Sequence, residues 1–135
     1  MAKQTPILIK TFGADAGVSA ANVCVVTSGS SAGNVALPGA ALATKFLGVT
    51  MEGASGANEI GVLVAGVAQI QSDGSAIIAA GDYVAIGNTS GQIRTVTPAT
   101  GAIVREIVGI ALSGAANTAG LLVDVLLQPM VYVGA

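Results

Sequence analysis

Short apolar runs rich in β-branched residues recur along the whole chain, and they restrict its possible folds more than any other feature. Each run is bounded by Gly, Ser, Asn, Asp or Pro, and turn signals follow one another at intervals of about ten residues. The runs are residues 7–11, 22–27, 46–51, 60–70, 82–86, 92–96, 103–112 and 121–127. This pattern predicts an all-β fold: a compact small β-barrel or β-sandwich with a short helix or none.

The predicted organisation is one β domain preceded by an extended segment. Residues 1–20 are expected to form an N-terminal arm and the first strand, and residues 21–135 a single β domain. The stretch "YVAIGNTSGQIRTV", residues 83–96, predicts a β-hairpin with a glycine-bounded loop. The stretch "PGAALATKF", residues 38–46, is the one plausible helix, since it starts after a proline, and it has at most two turns.

Charged residues are scarce: they make up 9% of the chain, against about 25% in an average domain. Hydrophobic residues make up 53%, and they are mostly Ala and Val rather than aromatic. The longest apolar candidate, residues 60–70, is shorter than the roughly 18 residues of a membrane-spanning helix. We therefore expect no membrane partner, and we expect the weakly charged surface to be buried against other protein chains.

Charge and cysteine content argue against a nucleic-acid-binding protein and against a secreted, disulfide-bonded protein. The five basic residues are scattered singly and the net charge is −2, so nucleic-acid binding is not expected. The lone Cys24 lies in an apolar run and is interpreted as a core residue. Because the start "MAKQTPILIK" lacks the apolar region of a signal peptide, we expect synthesis and folding in a reducing cytoplasm.

One stretch matches a catalytic motif. Residues 29–33, "GSSAG", fit the G-x-S-x-G pattern of a hydrolase nucleophile elbow, with Ser31 in the nucleophile position. The chain contains no histidine, which leaves Lys45 as a formal base, and it lacks the long helices of that hydrolase fold. The stretch is therefore interpreted as a turn. No acidic pair, calcium loop or metal-ligand spacing is found, so we expect no enzyme activity, metal or cofactor.

Two segments resemble each other at an offset of 61 residues. Residues 47–64 and 108–125 align without a gap, with Gly48 matching Gly109 and Gly53 matching Gly114. Either the match is a coincidence in a chain rich in Gly, Ala and Val, or the segments form two similar hairpins in one barrel.

The order of motifs from residue 46 to residue 129 resembles the small head decoration, or capsid cement, proteins of tailed bacteriophages. The segments are "FLGVTMEGASGANEIGVLVAGVAQI", "SAIIAAGDYVAI", a G-Q-I-R turn and "VGIALSGAANTAGLLVDVLLQP". The matching positions are Gly48-Val49, Gly66-Val67, Ala80-Gly81-Asp82 with Val84, Gly109 with Ala111-Leu112, and residues 123–129.

This resemblance implies a mainly β, homotrimeric protein on the outer surface of the virion capsid, made in the host bacterial cytoplasm. Its partners would be the phage major capsid protein, whose adjacent subunits it clamps after the shell expands, and further copies of itself. The candidate capsid contact is Lys3, Gln4, Thr5, Pro6 and Ile7, because this segment could add a strand to a capsid sheet. The candidate subunit interface is Pro129, Met130, Val131 and Tyr132.

Other interpretations stay open at the level of the sequence. The composition also fits another phage structural subunit of a tail, fibre or baseplate, or a non-enzymatic assembly protein. A small-ligand β-barrel would need a pocket with more aromatic lining than two Phe and two Tyr can supply. An enzyme would depend on Ser31.

Overall fold

Nine β-strands and no helix make up the part of the chain that the structure describes. This computed structural model describes residues 5–43, 45–53, 59–96 and 104–133. The strands are β1 (Thr5–Ala14), β2 (Cys24–Thr27), β3 (Asn34–Ala36), β4 (Phe46–Thr50), β5 (Glu59–Gln71), β6 (Tyr83–Ile86), β7 (Ile93–Thr95), β8 (Val104–Ala111) and β9 (Leu122–Val133). The eight apolar runs coincide with β1, β2 and β4 to β9, so the all-β prediction is confirmed.

The strands form one mixed sheet that closes on itself twice. They pair in the order β1-β3-β2-β4-β5-β9-β8-β6-β7, and β1 also pairs with β5. This additional pairing closes β1, β3, β2, β4 and β5 into a first ring. Ser72, directly after β5, forms an isolated parallel bridge with Ile93 in β7. That bridge closes β5, β9, β8, β6 and β7 into a second ring, so the two rings share β5.

The sheet packs around two cores of small aliphatic side chains, and the second core also takes residues from β2 and β4 of the first ring. The first core consists of Ala14, Val18, Val25, Val35, Ile60 and Val62. The second core consists of Cys24, Val49, Leu63, Ala68, Ile70, Ile78, Val84, Ile86, Ile93, Val108, Ala111, Val123, Val125 and Leu127. Narrow rings are filled by side chains of this size, which gives the Val-rich and Ala-rich composition a structural reason.

At Gly66, β5 reverses which of its alternate residues face each core. Val62 packs in the first core and its neighbour Leu63 in the second, as expected for adjacent residues of a strand. After Gly66 the alternation reverses, because Ala68 and Ile70 lie in the second core. Gly66 has a φ of 119°, and the register of β1 shifts beside it. A Cβ on Gly66 would meet the backbone of Thr5 and lie 2.8 Å from the Ile7 nitrogen.

Hydrogen bonds away from β5 also tie the rings together. The Glu106 carboxylate, on β8, accepts hydrogen bonds from the backbone N–H of Lys45 (3.0 Å) and of Phe46 (2.8 Å) at the start of β4. The Gly91 carbonyl, in the loop between β6 and β7, accepts a bond from the Cys24 N–H (2.8 Å). The rings are therefore linked by charge-assisted and backbone hydrogen bonds as well as by packing.

The segments that resemble each other form two antiparallel strand pairs, one in each ring. They are β4 with β5, where Thr50 faces Val62, and β8 with β9, where Ala111 faces Val125. With an offset of 61, the pair Thr50–Val62 predicts that Ala111 faces Val123, whereas Ala111 faces Val125. A shift of two residues leaves every side chain on the same face of the sheet. The matched glycines Gly48 and Gly109 both lie close to the backbone of the neighbouring strand. A Cβ on Gly48 would lie 2.5 Å from the Leu63 carbonyl oxygen, and a Cβ on Gly109 would overlap the Leu126 carbonyl oxygen.

Local predictions had mixed outcomes. The hairpin over residues 83–96 is confirmed, since β6 and β7 pair antiparallel. The prediction of a helix over residues 38–46 is wrong for the described residues of that range, which form bends and turns before β4 begins at Phe46. Leu42 has a φ of 57° and Lys45 a φ of 66°, values that a right-handed helix does not contain. The Leu42 N–H instead bonds the Ile86 carbonyl at 2.8 Å, a tertiary contact that outweighs a marginal short helix. The three-residue strand β3 was missed, because it is too short to produce a pattern.

The interpretation of Cys24 as a core residue is confirmed, because its side chain is fully buried. Burial raises the pKa of its thiol far above the ordinary range, since desolvation disfavours the thiolate. We expect no reaction of the native protein with Ellman's reagent at mildly alkaline pH, and full reaction after unfolding in guanidinium. Rapid labelling of the native protein would contradict this placement.

Gly66→Ala is expected to destabilise the protein by about 2 kcal/mol or more, because φ is positive and the methyl group would overlap β1. Gly39→Ala is the matched control: it has open space for a Cβ and should change stability by less than about 0.5 kcal/mol. Urea unfolding followed by circular dichroism measures both. Equal stabilities for the two variants would show that β5 does not need Gly66.

Candidate interaction surfaces

The loop that matches the hydrolase motif is built around Ser28 and Asp15. The Ser28 hydroxyl donates to Asp15 Oδ2 (2.5 Å) and accepts the N–H groups of Ser30 (3.2 Å) and Ser31 (3.0 Å). The Asn34 amide donates to Asp15 Oδ1 at 3.0 Å. Ser31 is exposed, and its hydroxyl bonds no lysine within the described ranges. The prediction of a turn here is supported by this geometry.

Asp15 is the charged group that holds this loop. The hydrogen bond from Ser28, and then that from Asn34, lower the pKa of its carboxyl below the ordinary value of 3.8. Hydrogen bonds of this kind favour the ionised form. Asp15 therefore fixes the loop between β2 and β3.

The first candidate surface is the free edge of β1. This strand pairs with β5 from Thr5 to Gly13, whereas β3 meets it only at Gly13 and Ala14. Ile7 is 78% exposed, and Leu8 and Ile9 are also exposed. Three successive exposed apolar residues on an unpaired strand edge are typical of a site that receives another chain.

Part of the predicted capsid contact lies on this edge. Thr5, Pro6 and Ile7 are the first residues of β1, and all three are exposed. Lys3 and Gln4 lie outside the described residues. The expected arm is thus, from Thr5 onward, a strand of the first ring.

The second candidate surface is the end of β9, which contains the predicted subunit interface. β5 pairs with β9 only as far as Leu126, so from Gln128 onward β9 has β8 as its sole partner strand in the described part of the chain. Pro129 and Val131 are exposed and Met130 is half-buried; the backbone of Tyr132 pairs with Arg105. Pro129 has no N–H to offer, and prolines of this kind protect a strand edge against added strands.

The third surface was missed by sequence reasoning. Val67, Leu126, Ile110 and Tyr83 are directly opposite one another across β5, β9, β8 and β6, and paired residues share a face. Leu126 and Tyr83 are exposed, and the other two are half-buried. The sequence does place apolar residues at alternate positions in each of these four strands. Only the register between the strands, however, brings the four residues into one row.

The described ranges contain no arrangement of three or more His, Cys, Asp or Glu that could hold a metal ion. None of the described residues forms a helix with the length and hydrophobicity needed to cross a membrane.

Acidification should destabilise the protein partly through Asp15. Its pKa is lower in the folded state than in the unfolded chain, so its contribution is complete above the ordinary pKa, near 4, and is lost as the pH falls through the folded value. Asp15→Asn should therefore lose less stability than the wild type between about pH 5 and pH 2 in urea titrations. Glu59→Gln, an exposed carboxyl with no hydrogen bond among the described residues, is the control. If the free energy of unfolding fell equally with pH in Asp15→Asn and in the wild type, Asp15 would not contribute to acid destabilisation.

No protein-family model matches the chain, and no curated protein matches it. Its activity must therefore be inferred from its own surfaces and from the sequence resemblance.

Proposed function

We propose that this chain is a structural virion protein: a head decoration protein that binds the outside of an expanded tailed-phage capsid and clamps adjacent major capsid subunits. The observation that carries the proposal is the edge of β1 opposite β5, which has no partner strand before Gly13 among the described residues and which carries the exposed Ile7, Leu8 and Ile9. The resemblance of residues 46–129 to capsid cement proteins supports the same assignment. The proposed assembly is a homotrimer located on the virion surface.

Strand addition is the proposed mode of attachment. An edge strand binds an extended segment through backbone hydrogen bonds, and its alternate side chains supply specificity. Lys10 is the only charged residue between Thr5 and Ala14, so most of this edge lacks the charges that commonly discourage pairing. Many copies on one lattice gain avidity, so each contact need not be strong.

The competing assignment is another structural subunit of the phage, such as a tail, fibre or baseplate protein. It predicts binding to a different part of the particle. Binding to heads before and after expansion therefore separates the two assignments.

Co-sedimentation with DNA-free heads of the phage that encodes the chain tests the proposal. We expect saturable binding to expanded heads and none to unexpanded heads. Ile7→Lys should weaken binding about tenfold or more, because a lysine on an edge strand opposes pairing. Ile77→Lys is the matched control, since Ile77 is 68% exposed and lies outside the strands.

Absence of wild-type binding to either form of the head would overturn the assignment and direct attention to tails. Undiminished binding of Ile7→Lys would overturn the proposed contact through β1. Circular dichroism of both variants checks that they are folded.

A further inference from the structure

A hollow with two arginine side chains lies between β7 and the start of β8. Its volume is about 110 Å³, and the residues that line it are Leu42, Arg94, Thr95, Val96 and Arg105. All of them are half-buried, so the hollow is open to solvent. We call this feature the arginine hollow.

The arginine hollow forms where β8 separates from β6. In the described part of the chain, β6 pairs with β8 only through Tyr83 and Val84. Two residues after Val84, the Ile86 carbonyl accepts a hydrogen bond from the Leu42 N–H (2.8 Å) and none from β8. The start of β8 therefore lies apart from β6, which leaves space beside Arg105.

Arg94 is held in one orientation at the hollow. Its Nη2 donates to the Gly87 carbonyl (2.7 Å), and its Nε lies 3.7 Å from a carboxylate oxygen of Asp73. Nε is enclosed by the protein and out of reach of a ligand, which leaves Nη1 as the nitrogen available to the hollow. Because two contacts already hold the guanidinium, little side-chain entropy is lost when Nη1 binds a ligand.

Arg105 is a cation without a partner. It forms no ion pair or hydrogen bond with the described residues, and it is half-buried rather than enclosed. The carboxylate of its neighbour Glu106 accepts the N–H groups of Lys45 (3.0 Å) and Phe46 (2.8 Å). Adjacent residues of a strand also point to opposite faces, so Glu106 does not neutralise Arg105.

The charges around the hollow favour an anion. Among the described residues, no acidic side chain lines the hollow, and Asp73 is already paired with Arg94. Arginine matches the geometry of carboxylate and phosphate oxygens better than lysine does. A carboxylate suits the fork of one guanidinium, whereas a tetrahedral phosphate has oxygens for donors that approach from different strands. Arginines on both β7 and β8 therefore favour a phosphate group.

We propose that the arginine hollow binds a phosphate group, with Nη1 of Arg94 and the guanidinium of Arg105 donating hydrogen bonds to its oxygens. Leu42 and Val96 line the rest of the hollow and limit the access of water to these bonds, which strengthens them. A free phosphate ion and the phosphate group of a small ester share this chemistry. The inference is independent of the proposed function, since it involves neither the edge of β1 nor a second copy.

An NMR titration of the isotope-labelled full chain with sodium phosphate tests the site, with the ionic strength held constant by sodium chloride. We expect saturable shifts of the amide signals of Leu42, Thr95, Val96 and Arg105. Glycerol 3-phosphate, titrated in the same way, distinguishes the two sources of the phosphate group. Tighter binding of the ester identifies an ester as the ligand, and equal or weaker binding identifies the free ion.

Arg105→Gln should weaken phosphate binding about tenfold or more, because it removes the hydrogen bonds of a charged donor. Arg105→Lys should weaken binding less, since the ammonium keeps the charge but not the planar fork. Lys10→Gln is the matched control: it removes one positive charge from β1, where the ammonium lies 5.4 Å from the centre of the Phe12 ring. This variant should bind phosphate like the wild type.

Three results would each overturn the inference. They are shifts that do not saturate, equal phosphate affinity of Arg105→Gln and the wild type, and an equal loss of affinity in Lys10→Gln and Arg105→Gln. The last would show a response to overall charge rather than a site. Circular dichroism establishes that each variant is folded. Because the readout is phosphate binding by the chain alone, none of these results bears on the decoration role.

Discussion

The structure depends on β5, the strand that belongs to both rings in the described part of the chain. β5 contributes Ile60 and Val62 to the first core and Leu63, Ala68 and Ile70 to the second. A regular strand would present alternate residues to the same side along its whole length. The break at Gly66, with its positive φ and its close approach to β1, lets a single strand close two rings. Neither ring can be complete without it.

Aliphatic side chains fill the inside of the two narrow rings, and further aliphatic side chains remain exposed on the outside of the sheet. The cores are filled by Val, Ile, Leu and Ala, and the few charges are too scarce to cover the remaining surface. Because charged residues are so few, apolar residues are exposed on β1 and on the outer face of β9. Surfaces of that kind in a folded chain are typical of contacts with other chains.

Most polar groups that could suggest chemistry are used to hold the backbone. Ser28, Asp15 and Asn34 fix the loop that contains Ser31. Glu106 fixes the start of β4, and Asp73 accepts the N–H and hydroxyl of Ser75 while pairing with Arg94. Asp124 and Arg105 differ from these, because one carboxylate oxygen and one guanidinium lack partners among the described residues.

Local pattern determined the strands, the hairpin at residues 83–96 and the buried position of Cys24, because β-branched runs and turn residues act over a few neighbours. The short strand β3 and the failed helix at residues 38–46 were decided by tertiary contacts, such as the Leu42 N–H bond to Ile86. The closure of two rings and the row from Val67 to Tyr83 were also beyond the sequence. They depend on the register between distant strands, and register is set when all the strands pack together rather than by any one of them.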